Sequence, residues 1–266
     1  MQKEDFTSML RLCALGARIC YSSQDIDELL NDNRVNGDGV IKYLENIFKM
    51  GHFSVFSHAF KYYYNTDPSN KFKSVVTKNS VGLSARHFLE EQQQFPYDTS
   101  DLLNLNKIEI IKQTINENII ASLLYKSKEE DGWAVIHMDG ISRITSHQLV
   151  RYSSLNFSQR SQRYCSEKNN KFLLPNNDYI NDANIANKSK QLFEQSYSSS
   201  MDVYNRLIEM GVRKEDARYV LPQAMNTSLL MSGTIKQINH FITQRKEKFA
   251  QDEIRKLAIA VEEVLN

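Results

Sequence analysis

Apolar residues near the start of the chain recur at helical spacing. Phe6, Met9, Leu10, Leu12, Cys13 and Ala17 fall on one face and predict a helix over 5–20. Val40, Tyr43, Leu44, Ile47 and Phe48 repeat the i, i+3, i+4, i+7 pattern, and Gly51 supplies the stop. The aromatic-rich run from Val55 to Tyr64 reads as a strand, residues 71–77 as a weaker one, and residues 80–94 as a short helix. Beyond Pro96, the positions of Ile108, Ile111, Ile115, Ile119 and Leu123 predict one helix over 102–125. After the loop KSKEEDG, Trp133 to Met138 is a short apolar strand, and Gly140 introduces a helix from about Ser142 to Tyr152.

Residues 169–187 carry many Asn and Asp around Phe172, Leu173, Leu174 and Pro175, which predicts a loop with one buried anchor. Helices over 188–210 and 214–219 follow, closed by Gly211 and Pro222. The strongest pattern comes last: Phe241, Arg245, Phe249, Ile254, Leu257, Ala258, Val261 and Leu265 predict one long final helix. No internal repeat and no Pro- or Ser-rich linker divides the chain.

Composition narrows the classes. Only 9 Gly and 4 Pro in 266 residues argue against an all-β protein built on tight turns. A formal charge of +1 gives no overall field for a nucleic acid or an anionic membrane, so any anion site is local. Cys13, Cys20 and Cys165 are odd in number and widely spaced, which fits neither a disulfide framework nor a zinc site, and no metal ligand set is expected. No apolar run reaches the length of a signal sequence or a membrane span, so a reducing cytoplasm is the expected setting.

One segment stands out chemically. Between Asp139 and Glu167 there is no acidic residue, yet Arg143, Arg151, Arg160 and Arg163 lie there with His147 and many Ser, Gln, Asn and Tyr donors. Planar guanidinium forks bind phosphate bidentately, so phosphate is the natural guest; the competing reading is a basic face paired with acids elsewhere. His52 and His58 have no metal-ligand spacing and read as hydrogen-bonded or core histidines. No base is evident for a cysteine nucleophile, and neither GxGxxG nor a P-loop is present.

The run ISRITSHQLVRYSSLNFSQRSQRY, residues 141–164, resembles the signature of flavin-dependent thymidylate synthases, Arg-His-Arg, seven residues, then Ser. Arg151, Tyr152 and Ser153 occupy the triplet, and Ser161 stands at the Ser. ALGARICYSS resembles the family's ARxCY segment, MGHFSVFSH its GHxSxxEH, EDARYVLP its ARxVLP, and NHFITQRKEKFAQDEIRKLA its closing HFxxxR…AQxEIR helix.

The resemblance implies a single α/β (α+β) domain over 1–266, with a central sheet flanked by long helices and an insertion at about 65–134. It implies reductive methylation of dUMP to dTMP, with FAD as cofactor, NADPH and methylenetetrahydrofolate as co-substrates, and a homotetramer whose subunits share active sites. Gln148, Arg151, Gln159, Ser161, Gln162, Arg163, Arg218 and Arg245 would bind dUMP, with Ser161, Arg151 and Arg245 closest to the chemistry. Cys20, His52, Ser54, Ser57, Arg151, Tyr152, Ser153, Thr234, Lys236 and His240 would hold the flavin. The departures gather on the flavin side: Arg-Tyr-Ser replaces Arg-His-Arg, Ser57 replaces a Glu, and Thr234 and Lys236 replace Asn and Arg. Two alternatives stay open, an enzyme modifying C5 of another pyrimidine nucleotide and a non-catalytic nucleotide-binding paralogue.

Overall fold

Both faces of the strand Trp133–Ser142 are buried over most of its length, and this double burial organises the molecule. The computed structural model describes residues 6–64, 74–77, 80–86, 89, 106–128 and 132–266. Among them are helices α1 (Phe6–Tyr21), α2 (Ile26–Leu30), α3 (Val40–Lys49), α4 (Arg143–Leu149), α5 (Ala183–Glu209), α6 (Lys214–Ala217), α7 (Ile235–Arg245) and α8 (Asp252–Leu265). The strands are β1 (Phe60–Tyr64), β2 (Ser74–Thr77), β3 (Ser80–Ser84), β4 (Lys112–Asn116), β5 (Ile119–Lys126), β6 (Trp133–Ser142), β7 (Asn156–Gln159) and β8 (Asn226–Thr234). The main sheet has five antiparallel strands in the order β4-β5-β6-β8-β7, and a three-stranded sheet has the order β1-β3-β2.

Successive side chains of a strand point to opposite faces, and the two faces of the main sheet belong to two cores. Leu124, Trp133, Val135 and Leu230 join the core formed with α1 and α3. Leu123, Ala134, Ile136, Met138, Leu229 and Met231 join Ile238, Phe241, Ile254, Leu257 and Val261 of α7 and α8 on the other. Each fully buried Leu or Ile contributes about 1.5–3 kcal/mol, so the sheet is held from both sides. Gly140 has φ 71°, and a Cβ there would lie 1.6 Å from the Asn118 carbonyl oxygen. It accommodates an irregularity of the β6–β8 ladder between Met138 and Ile141.

His58 ties the layers together. It closes the 3-10 turn Phe53–His58, is fully buried, and hydrogen-bonds Ser232 Oγ at 2.8 Å through Nδ1 and Ser158 Oγ at 2.9 Å through Nε2. Gly16 of α1 permits this approach, because a Cβ there would stand 2.7 Å from the imidazole Cδ2. Trp133 donates from Nε1 to the His58 carbonyl at 3.2 Å and stacks on Phe60 at 4.1 Å.

The central sheet flanked by helices matches the expectation, but several elements differ from it. The stretch 102–125 is not one helix: residues 112–116 and 119–126 pair as a hairpin, and 102–105 lie outside the described residues. Ile111 and Ile115 are exposed, so the proposed apolar stripe does not exist, and the β-branched Ile residues serve the strand instead. Residues 65–134, expected as an insertion, supply β4 and β5 to the main sheet. The final pattern is two helices, α7 and α8, interrupted after Arg245; Phe249 is exposed there. The expected strand 55–64 begins as the 3-10 turn before β1, and the expected helix 80–94 begins as β3. The helix expected at 188 starts at Ala183, where Asp182 accepts from the Asn184 and Ile185 amides.

Burial lowers the pKa of His58 to about 3 and that of His137 to about 4. The unfolded chain takes up these protons near pH 6.5 and the folded chain does not. Stability is therefore expected to fall on acidification from pH 6.5 towards 4, by at most about 1.4 kcal/mol per pH unit for each imidazole. Thermal unfolding as a function of pH checks this; His58→Gln, which cannot titrate, is expected to halve the slope.

Candidate functional site

The arginine-rich segment starts where β6 runs into α4. Ser142 caps α4 by accepting from the Thr145 amide, and α8 fixes that junction: the Ser142 amide and hydroxyl donate to the two oxygens of Glu253, both at 2.6 Å. Arg151, Tyr152 and Ser153 follow α4 as a turn. The chain then enters β7 and forms a short arch from Gln159 to Cys165. The Arg160 amide donates to Ser228 O at 3.0 Å, the Ser161 amide to Cys20 O at 3.2 Å, and the Cys165 amide to Ser161 O at 2.9 Å. The arch is thus attached to β8 and to the end of α1.

One group of nominated residues assembles around this arch. Gln159 donates to Ser146 Oγ at 2.9 Å and Thr227 Oγ1 at 3.2 Å. Ser161 Oγ accepts from the Arg163 amide at 3.2 Å, and Gln162 is half-buried beside it. Arg163 lies over the Tyr164 ring and reaches Glu215 at 3.5 Å, and Arg218 donates from Nε to the Glu215 carbonyl at 3.1 Å. Tyr164 packs edge-on against Tyr21, whose hydroxyl meets His52 Nδ1 at 2.5 Å. Cys20, His52, Ser161, Arg163 and Arg218 therefore share one region.

A second group forms between the triplet turn and α7. Arg245 donates from Nε to the Tyr152 hydroxyl at 2.9 Å, and that hydroxyl donates to Gln244 Oε1 at 2.9 Å. The Tyr152 ring sits edge-on to Phe241 and His240. Gln148 donates to Gln251 at 2.6 Å at the start of α8. Lys236 and His240 are exposed one helical turn apart on α7, and Arg151, Ser153 and Ser54 are also exposed. Among the described residues, no side-chain hydrogen bond or ion pair joins this group to the arch group. Arg163 and Arg218 both contact Glu215, whereas Arg245 contacts Tyr152.

Two nominated hydroxyls are committed to the fold. Thr234 is buried and caps α7 by accepting from the Gln237 amide, and Ser57 is buried within the 3-10 turn. The acid-free segment divides likewise. Arg160 is buried and paired with Glu167 at 2.7 Å, and Arg143 donates to the Arg160 carbonyl at 2.7 Å, so these two are structural. Arg151 and Arg163 remain at the surface. Sequence reasoning passed over Glu167 and Tyr164, although Glu167 is the acid that ends the acid-free run.

Burial raises the thiol pKa of Cys20 and Cys165, and that of Cys13 to about 12. All three are thiols at neutral pH and supply no nucleophile. A cavity of about 610 Å³ opens elsewhere, lined by Ser142, Ile144, Leu173, Phe193, Tyr197 and Glu253 among others, and contains none of the nominated residues. Most of its charged groups are already engaged, Glu253 with Ser142 and Lys256 with Glu117 and Asp252. Guanidinium groups with donors to spare make the two surface clusters the better anion sites. The exposed donor set of Arg151, Ser153, Lys236 and His240 suits a dinucleotide's phosphates, and Tyr152 offers an aromatic surface beside it.

Comparison with known proteins gives a consistent family. A sequence model described as thymidylate synthase complementing protein matches residues 82–266. The flavin-dependent thymidylate synthase of Geobacter sulfurreducens is 36% identical over 142 residues, covering 53% of this chain and 59% of that protein. That of Sulfurisphaera tokodaii is 33% identical over 137 residues, covering 50% of each. The matched part thus spans about half the length of these curated relatives. The crystal structure of thymidylate synthase X from Helicobacter pylori with FAD and dUMP is similar at 20% identity and a TM-score of 0.41, over 52% of this chain and 69% of that one. Cys20, His52, Ser54 and Ser57 precede the segment matched by the family model. That segment takes in the whole five-stranded sheet, the arch, the triplet turn and both C-terminal helices, and on this match the chain belongs to the thymidylate synthase complementing protein family.

Proposed function

We propose that this chain is a flavin-dependent thymidylate synthase that converts dUMP to dTMP, taking the methylene from methylenetetrahydrofolate and reducing equivalents from NADPH. The observation that carries the reading is the arch, where Ser161, Arg163 and Arg218 gather on a surface fixed to α1 and β8. Arg163 and Arg218 hold the phosphate dianion through charge-assisted hydrogen bonds, with Ser161 as a short donor. Gln148, Gln159 and Gln162 supply amides for the sugar and base. Arg245, oriented by Tyr152, directs its guanidinium to the uracil oxygens, and this polarisation makes C5 more nucleophilic. Arg151, Ser153, Lys236 and His240 hold FAD, which when bound supplies the redox chemistry. No protein thiol takes part, in keeping with the raised pKa of Cys20.

The separation of the two arginine groups supports a site completed by a second copy. The long α5 leaves Ile185, Leu192, Phe193 and Val203 exposed, which supports assembly, here read as a homotetramer. Among the described residues no helix is long and apolar enough to cross a membrane, and the proposal places the enzyme in the cytoplasm. The altered triplet favours keeping one second reading, a relative that modifies C5 of a different pyrimidine nucleotide.

Protein incubated with FAD is expected to retain oxidised-flavin absorbance in the blue and to release tritium from C5-labelled dUMP when given NADPH and methylenetetrahydrofolate. A chain that cannot be loaded with FAD refutes this activity, whereas turnover of UMP or dCMP in place of dUMP selects the second reading. Arg245→Ala is expected to weaken dUMP binding by about 2 kcal/mol, roughly 30-fold, and Tyr152→Phe by about 1 kcal/mol. Isothermal titration checks both, and the double variant should cost no more than Arg245→Ala alone if Tyr152 acts through Arg245.

A further inference from the structure

The arch that presents Ser161 and Arg163 rests on a buried ion pair. Arg160 and Glu167 meet at 2.7 Å with side chains 10% and 0% exposed. The same carboxylate oxygen accepts from Asn170 Nδ2, which also donates to the Asn226 carbonyl of β8 at 2.8 Å. The Glu167 amide donates to the Tyr204 hydroxyl of α5 at 3.3 Å, and Arg143 of α4 donates to the Arg160 carbonyl at 2.7 Å. The carboxylate thus ties the arch to β8 by way of Asn170, while backbone groups of the paired residues reach α4 and α5.

Stability alone explains this arrangement poorly. Removing two charges from water costs several kcal/mol per ion, and apolar residues of similar volume often serve a fold as well or better. The pair is also incompletely satisfied, since Glu167 Oε1 is buried with no hydrogen-bond partner, as is Nε of the neighbouring Arg143. Its effect is geometric. Arg160 immediately precedes Ser161, so drawing its side chain inward fixes the backbone that carries Ser161 and Arg163. The two side chains make only weak contacts of their own: Ser161 Oγ accepts from the Arg163 amide at 3.2 Å, and Arg163 reaches Glu215 at 3.5 Å with its side chain 52% exposed. Holding donors in place before the ligand arrives spares their ordering cost on binding.

We propose that Glu167 is a positioning residue of the nucleotide site, acting through Arg160 to hold the Ser161–Arg163 arch ready for a phosphate monoester. This rests on the dUMP reading above. The full-length chain carrying Arg160→Met with Glu167→Leu replaces the pair by apolar groups, and Glu167→Gln removes the charge at nearly constant shape. The double variant is expected to keep the thermal midpoint of the parent while amide hydrogen exchange at Ser161 and Cys165 quickens at least tenfold. The Kd for dUMP should rise at least tenfold while that for deoxyuridine, which lacks the phosphate, changes less than threefold and kcat at saturation less than threefold. Glu167→Gln should move exchange and dUMP affinity in the same directions by at least threefold, and it decides the matter if the double variant does not fold. Parent-like exchange at the two amides overturns the proposal, as does parent-like dUMP affinity or an equal loss for deoxyuridine. Should the parent chain bind no dUMP, the functional reading falls, and the exchange rates alone decide whether Glu167 anchors the arch.

Discussion

The structure depends on a sheet that must be covered on both faces. The strands β5, β6 and β8 put apolar side chains in both directions, so neither face can meet water without exposing a core. This requirement places α1 and α3 on one side and α7 and α8 on the other, and it leaves functional groups only the rims. The candidate residues accordingly come from strand ends and the segments that leave them: the turn after α4, the arch after β7, the 3-10 turn after α6, and the face of α7. Where polar groups must cross between layers, they do so in pairs, as with His58 between Ser158 and Ser232.

The same constraint sorts the arginines. An Arg drawn into the interior needs a carboxylate or several carbonyls, and Glu167 together with the arch backbone supplies them for Arg160 and Arg143. Arg151 and Arg163 stay at the rim with their forks largely unspent. Charge density in the sequence therefore overstates the number of cations left at the surface. The two roles lie close in the chain, since internal Arg160 is three residues from surface Arg163.

Legibility in the sequence followed the strength of local signals. Helices α1 and α3 are readable because each has one apolar face, and for α3 a terminating Gly51 agrees with it. The 102–125 stretch misled because Ile residues spaced by three and four satisfy the helical period, while the hairpin depends on the turn at Glu117, with φ 55°, and on pairing with β6. The strand β8 was missed because Ser and Thr flank a short apolar centre, and only its neighbours on both sides make it a strand. The break between α7 and α8 was hidden by Phe249, which completes the periodicity yet points into solvent. Site residues are named through ordered motifs, and their contacts sort them into the arch and triplet groups. Nothing in the linear pattern gave Glu167 its place, because its partner is chosen by the arch's three-dimensional path.

The altered triplet acquires a physical meaning from this geometry. A phenol at position 152 gives Arg245 a neutral, hydrogen-bonding support and an aromatic surface, with its ring held by Phe241. An imidazole in that place would titrate near neutrality and compete with the guanidinium as a cation; Tyr152 leaves Arg245 the local charge. Ser153 next to it removes a further cation from the same turn. Arg245 and Arg163 are thus oriented by the chain's own side chains. Among the described residues, exposed Arg151 and Lys236 have no side-chain hydrogen bond or ion pair, and His240 meets only the edge of the Tyr152 ring. On the proposed reading, nucleotide affinity comes from a prepared surface, whereas cofactor affinity depends on what a second subunit adds across the triplet turn.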